Sequence, residues 1–368
     1  TLSKIRSIAV IEVNNPPVNA LGHAVRKGLW DSIEVADADD TVKAIVVIGA
    51  GRTFPAGADI NEFGTVMQEP YLPDVIDRIE DCKKPVVAAL HGTALGGGFE
   101  VALGSHYRIA PADARIGLPE VNLGLLPGAG GTQRMPRLCG AKLTLDVMLS
   151  GKPISAAKAH AAGLIDRLAE GDLRLEAIKF AEEVQKVRRS RDEEQGFLNT
   201  KSYHEALDDA KKMISTRMRG QLAPIKIIEC VTAALETPFA EGRAFERASF
   251  FECLSSEQSK GMIHAFFAER ASAKVPEASR AKPRKLESIG VVGGGTMGAG
   301  ITVAALDSGL PVTMIERDAE SIARGRANVE KVYDRLVKKG RKTKDQKAAV
   351  MALYTASTNY GDLSDVDM

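Results

Sequence analysis

The chain has 368 residues, 44% of them hydrophobic, with 49 Lys and Arg set against 48 Asp and Glu. That length suits two or more domains with substantial cores. The near-balanced charge offers no basic excess for nucleic acid, and no apolar run approaches the roughly 20 residues of a membrane span. Cys82, Cys139, Cys230 and Cys253 are scattered without CxxC or metal-ligand spacing, so reduced thiols in a cytosol-like compartment and no metal site are expected. The start, Thr1 to Lys4, has no signal-peptide core. The first residue is not Met, and Ser364–Met368 carries no closing element, so the chain is expected to be a piece of a longer protein.

Taken in chain order, Ser7–Val13 and Val42–Ile48 are β-branched runs bounded by turn residues, which predicts strands. Ala24–Ala38, between them, has a helical period. Lys84–Leu90 predicts a third, buried strand running straight into Gly96-Gly97-Gly98. This alternation argues an α/β class with crossover connections. From Ser155 to about Arg270 the pattern is helical. Gly163 is expected to cap a helix starting at Ala156, and a long charged helix is predicted from Leu173 towards Arg191. Its basic run, Lys186 to Arg191, reads as a solvated helix end, with contact to an anionic ligand as the alternative. Ala271–Lys285, with two prolines and few apolar residues, reads as an exposed linker.

Beyond the linker, Ser288–Val292 predicts a strand that enters Gly293-Gly294-Gly295-Thr296-Met297-Gly298. A helix carrying Ala299–Leu306 follows, then a strand Pro311–Ile315 ending at Glu316, then a helix across Ala319–Arg341. A GxGxxG turn between strand and helix, with an acid about 20 residues on, is the dinucleotide fingerprint. Gly293, Gly295 and Gly298 are the candidates for the pyrophosphate and Glu316 for the ribose hydroxyls, with NAD favoured over the phosphorylated cofactor because an acid there repels the extra phosphate.

The densest signal is His91 to Gln133, which sets Glu100 and Glu120 twenty residues apart in settings conditioned by Gly and Pro. Three glycines just before a helical pattern weaken it. They also let the backbone approach a ligand and aim free N–H groups at negative charge. For each acid the alternative is a solvated surface carboxylate. Gly128-Ala129-Gly130-Gly131 is either a plain turn or a loop allowing close approach of a ligand. The six histidines show no nucleophile or metal pattern, and Asp59 has no second carboxylate at ligand spacing.

The Gly96-Gly97-Gly98-Phe99-Glu100 stretch, the Ala56-Gly57-Ala58-Asp59-Ile60 segment, and Pro119-Glu120 before Pro127-Gly-Ala-Gly-Gly-Thr-Gln-Arg134 resemble the crotonase superfamily, the enoyl-CoA hydratases and isomerases. The resemblance covers about the first two-thirds of the chain. It implies a spiral of ββα turns, an oxyanion hole from the N–H groups of Ala58 and Gly97, and proton chemistry by Glu100 and Glu120 on an acyl-CoA thioester. Phe266–Arg270 is similar to the linker helix of multifunctional β-oxidation enzymes. The last segment resembles the NAD-binding start of a 3-hydroxyacyl-CoA dehydrogenase, whose His–Glu pair would lie outside this chain. The implied organisation is a crotonase core at 1–190, its helical C-terminal part at 191–270, a linker at 271–285 and a partial Rossmann domain at 286–368. Acyl-CoA is the implied substrate, NAD the implied cofactor (weakly bound or unbound in this piece), and a monomer or small oligomer the implied assembly. The implied location is the cytoplasm of a bacterium or the peroxisome of a eukaryote. A non-catalytic acyl-CoA-binding scaffold and a crotonase of different thioester chemistry stay open as alternatives.

Overall fold

A computed structural model describes residues 1–62, 68–272, 274–275, 278 and 281–368. The chain divides into two compact units, Thr1–Ala273 and Lys274–Met368.

In the first unit, β1 (Leu2–Ile5) and β2 (Ile8–Val13) form a hairpin, α1 (His23–Ala38) crosses over, and β3 (Ala44–Gly49) pairs parallel to β2. Next come α2 (Leu72–Glu80), β4 (Val86–Ala89), β5 (Thr93–Leu95), α3 (Gly97–Gly104), β6 (Tyr107–Pro111) and β7 (Arg115–Gly117). The kinked helix α4 (Gly131–Ser150) leads to β8 (Ile154–Ser155), α5 (Ala156–Ala161), β9 (Arg167–Ala169) and α6 (Leu173–Glu183). Four helices close the unit: α7 (Thr200–Arg217), α8 (Leu222–Glu236), α9 (Phe239–Ser255) and α10 (Glu257–Ser272).

The chain alternates between a six-stranded sheet ordered β1-β2-β3-β4-β6-β9, parallel except for its first pair, and a small sheet ordered β5-β7-β8. Strands β2, β3 and β4 are apolar on both faces because helices or the small sheet cover both. Successive strand–strand–helix turns stack in the way the spiral requires. Helix α3 is buried at every residue, which suits its almost wholly apolar sequence and makes Glu100 conspicuous.

Several elements differ from the sequence reading. Strand β4 does not run straight into the glycine triplet, because β5 intervenes and joins the second sheet. The stretch after Ser155 includes β9, which forms the edge of the large sheet. Helix α6 stops at Glu183, with Val184 extended. The basic run beyond it is not a solvated helix end. Arg188 pairs with Asp166 and Arg191 with Asp81, while Ser190 is buried, so these side chains bind the segment to the core. Gly163, at φ +79°, follows the end of α5 as expected. Part of the expected linker, residues 273, 276–277 and 279–280, lies outside the described residues.

The second unit has β10 (Ile289–Val292), α11 (Thr296–Asp307), β11 (Val312–Ile315), α12 (Ala319–Lys338), α13 (Lys344–Met351) and β12 (Tyr354–Ser357). Its three strands are parallel, in the order β10-β11-β12. Strand β12 and helix α13 were not read from the sequence. Among the described residues no helix is long and apolar enough to cross a membrane, and no group of three metal-ligating side chains occurs.

One buried ion pair fixes α2 against α4. Arg134 and Glu80, both 0% exposed, meet at 2.7 Å, and Asp77 reaches the same guanidinium at 2.6 Å. Glu80 also accepts from the Arg191 N–H at 2.9 Å. Removing one partner of such a pair strands a charge in the core, so Glu80→Ala should destabilise the first unit by about 3–5 kcal/mol. Urea unfolding of that unit checks this; a midpoint shift worth less than about 1 kcal/mol would contradict it.

Candidate active site

The four residues singled out in the first unit gather around the join of β5 and α3. Gly96, the residue between them, sits at φ +51°, a conformation that side-chain-bearing residues rarely adopt. A methyl group there would also stand 2.9 Å from Oε1 of Glu120. At Gly97 an added methyl would lie 2.6 Å from Cδ2 of Leu72 and 3.2 Å from the Ala58 nitrogen. Glu120, Gly96, Gly97 and Ala58 are therefore consecutive neighbours in space. Gly98 is needed for a different reason: a side chain would overlap the Pro55 carbonyl oxygen.

Gly97 opens α3, so its N–H has no partner within the helix. Neither that N–H nor the N–H of Ala58 donates to another group among the described residues. Ala58 is held in place by its neighbours: Leu21 N–H donates to the Gly57 carbonyl at 2.9 Å, and Ala56 N–H donates to that of Val18 at 3.1 Å. Two free backbone donors beside the positive end of a helix favour developing negative charge.

Glu100 stands in the first turn of α3 and is 3% exposed. Its Oε1 accepts two backbone bonds, from Ala129 and Gly131, each 2.8 Å long. Its Oε2 accepts from no donor among the described residues. Burial and then the nearby Glu246 carboxylate push its pKa up to about 7, against the pull of the two N–H groups. Glu120 begins a short 3₁₀ turn, Glu120–Leu123, closed by Gly124 at φ +66°. The residue is half-buried, yet its Oε2 is enclosed without a hydrogen-bond partner. Burial, with the charge of Glu100 second, raises its pKa well above the ordinary carboxylate range. Both acids thus hold their protons above the ordinary carboxylate range.

The glycine-rich loop has a role the sequence reading missed. Its glycines face the protein's own groups: an added side-chain carbon would come within 2.5 Å of Phe250 at Gly128 and 2.9 Å of Glu100 Oε1 at Gly131. The N–H groups of Ala129 and Gly131 go to Glu100, and those of Gly130 and Thr132 go to Glu246, at 2.7 and 3.0 Å. Glu246 on α9, together with Arg243, belongs to the site. In the sequence the two are only an ordinary i,i+3 pair on a mixed helix, more than a hundred residues from the loop. The four cysteines have no part here; burial pushes the thiol of Cys82 up to about 12.

In the second unit the fingerprint residues also come together. Gly293 sits at φ +91°, and a side chain on Gly298 would overlap the Gly293 carbonyl oxygen, so turn and helix pack as closely as only glycine allows. An added carbon on Gly295 would meet nothing within 4 Å, which leaves open space before the start of α11. Glu316 ends β11, and its Oε1 accepts from the Gly294 N–H at 2.7 Å. The turn and the acid fit a dinucleotide's adenosine half.

The family model for enoyl-CoA hydratase/isomerase matches residues 3–217. The chain belongs to that family. The model for the 3-hydroxyacyl-CoA dehydrogenase NAD binding domain matches residues 288–368. Among curated relatives, this hydratase/isomerase-family chain is 38% identical over 372 residues to a peroxisomal bifunctional enzyme of Danio rerio, covering 99% of this chain and 51% of the relative. It is 36% identical over 384 residues to a peroxisomal fatty acid beta-oxidation multifunctional protein of Arabidopsis thaliana, covering 98% and 52%. The chain spans about half the length of the curated relatives it matches. Among solved structures, it resembles carnitinyl-CoA hydratase from Mycobacterium avium at 30% identity and TM-score 0.54, covering 73% of this chain and 95% of that one. An enoyl-CoA hydratase/isomerase from Pseudoalteromonas atlantica matches at 26% identity and TM-score 0.56, covering 73% and 96%.

The raised Glu100 has a consequence for stability. In the unfolded chain this acid ionises near 4.5, whereas in the fold it keeps its proton up to about 7. The native state therefore loses stability as pH rises through that window. Glu100→Gln keeps an oxygen for Ala129 and Gly131 but cannot ionise. Its stability advantage over wild type should grow from pH 4.5 to about 7 and then level off, on the order of 3 kcal/mol. Denaturant titrations at pH 5 and 8 check this; an equal difference at both would contradict it.

Proposed function

We propose that this chain adds water to trans-2-enoyl-CoA to give 3-hydroxyacyl-CoA, in fatty-acid β-oxidation, and that it also shifts Δ3 double bonds to Δ2. Residues 1–190 and 191–270 together form the hydratase in this reading, and 286–368 form the NAD-binding part of a 3-hydroxyacyl-CoA dehydrogenase. The observation that carries it is the pairing of two enclosed carboxyls of raised proton affinity with two neighbouring N–H groups that have no partner among the described residues.

The thioester oxygen would accept from Ala58 and Gly97. Bond formation at C3 builds enolate charge on that oxygen, and fixed donors stabilise it with little reorganisation. Glu100, ionised above about pH 7, takes a proton from water as the water oxygen bonds to C3. Glu120, whose enclosure favours its protonated form, delivers its proton to C2 as the enolate collapses. Transfer of the proton from Glu100 back to Glu120 resets the pair. This sequence of events starts with one proton held between the two acids. Isomerisation needs one carrier between C2 and C4, and Glu120, beside Gly96, is that carrier.

Gly293, Gly295 and Gly298 would receive the pyrophosphate of NAD and Glu316 its ribose, and NAD held there would supply a hydride acceptor for oxidation of the hydration product. The described half-sheet offers the adenosine side, while a dinucleotide lies across the point where strand order reverses. Weak or no NAD binding by this chain is the expectation. Titration calorimetry checks the affinity, and NADH formation from 3-hydroxybutyryl-CoA by the purified chain would contradict the expectation.

Glu100→Gln and Glu120→Gln should each lower crotonyl-CoA hydration by about 10²–10⁴-fold. Isomerisation of a Δ3-enoyl-CoA should fall far more in Glu120→Gln than in Glu100→Gln. Both are followed by absorbance of the conjugated thioester. Equal loss of isomerase activity in the two variants would rule out Glu120 as single carrier, and near-normal hydration in either would remove the two-acid mechanism.

A further inference from the structure

Glu246 is 0% exposed and belongs to α9, beyond the residues that the hydratase/isomerase family model matches. Four successive N–H groups at the start of α4 alternate between two acids: Ala129 and Gly131 donate to Glu100, Gly130 and Thr132 to Glu246. The Thr132 hydroxyl adds a further bond to Glu246, of 2.5 Å. Arg243 holds Glu246 at 2.8 Å and Asp77 at 3.3 Å, and Asp77 shares Arg134 with Glu80. Arg134 in turn donates to the Ala129 carbonyl at 3.1 Å. The turn that grips Glu100 is thus gripped from its other side by Glu246, and α9 is tied to α2 and α4 through one chain of ion pairs.

We propose that Glu246 is a positioning residue for Glu100: it fixes the Ala129–Thr132 turn so that two N–H groups saturate Oε1 of Glu100 and present Oε2 to water. This rests on Glu100 being the base of the hydration reaction. The charged groups around Glu100 are Glu120 on its short turn, Glu246 and Arg243 on α9, and the compensated set of Asp77 and Glu80 on α2 with Arg134 on α4. α3 also packs on β5, which carries no ionisable side chain. Glu246 therefore acts on Glu100 in two ways, by geometry through the turn and by charge.

The test uses the full chain and three variants, with amide hydrogen exchange across residues 128–132 and pH profiles of crotonyl-CoA hydration. In Glu246→Gln, exchange at Ala129 and Gly131 should rise about tenfold or more. kcat should fall at least about tenfold with KM within about threefold, since the change touches the base and not the CoA contacts. The acid limb of kcat/KM should move to lower pH, because a negative neighbour is gone and the Arg243 cation is left less neutralised. Arg243→Gln should move that limb the opposite way, a crossing that a merely loosened fold would not produce. Thr132→Val removes a single donor to Glu246 and should show the exchange and kcat changes in smaller degree, with the acid limb unmoved because the Glu246 charge stays, which covers the case in which Glu246→Gln fails to fold. Unchanged exchange, kcat within twofold of wild type, or an acid limb that stays put or moves the same way in both charge variants would overturn the proposal. If wild type does not hydrate crotonyl-CoA, the functional reading fails, while the exchange data still decide whether Glu246 clamps the turn.

Discussion

The site depends on one arrangement: the N-terminus of α4 is caught between two buried carboxylates. A helix start exposes backbone donors that must find acceptors when buried. Here no side-chain cap serves them; Glu100 from α3 and Glu246 from α9 take them in alternation. The alternation needs Gly130 at φ +103° and no side chain at Gly131, which accounts for the glycine-rich sequence without any appeal to flexibility. The same helix then carries Arg134 inward to Glu80 and Asp77, so its register, its orientation and the Glu100 carboxyl are fixed together.

Such an arrangement opposes stability and serves chemistry. Two backbone donors and a helix dipole favour an ionised Glu100, but enclosure and a like-charged neighbour outweigh them, and the acid ends up at about 7. Glu120 has even fewer compensating bonds, and burial first and Glu100 second raise its proton affinity as well. An ordinary core would replace both acids with apolar side chains. These acids stand in an otherwise apolar helix and on a turn buttressed by Ser259 of α10 through a 2.9 Å bond to the Leu123 carbonyl, at a cost in stability that fits the proposed proton transfer. Both acids are thus steadied from the C-terminal helices, α9 for one and α10 for the other.

Much of this was legible in the sequence, and the remainder divides by physical cause. Periodicity located β2, β3, α1 and β10, because each is a local pattern of burial. The glycine triplet pointed to the free N–H of Gly97 and the acid beside it, since glycine at a helix start has few stabilising reasons. Helix α4 was hidden because Pro136 and the kink at Gly140 break its period and its glycine-rich start reads as loop. β5 and β9 have three residues each, too few for alternation to register. The end of α6 at Glu183 was missed because ion pairs of Arg188 and Arg191 with distant acids decide the path of the chain, and no local pattern records them. Glu246 is the plainest case: its importance lies wholly in what the fold brings to it.

The central claim is that Glu100 and Glu120, both enclosed, hold their protons above the ordinary carboxylate range. Titration of ¹³C-carboxyl-labelled glutamate by NMR, with Glu100→Gln and Glu120→Gln to assign the signals, reads this without substrate. The expected result is that both carboxyls titrate above the ordinary range, with Glu100 ionising near 7. Ionisation of both carboxyls below about pH 5, as for exposed glutamates, would contradict it.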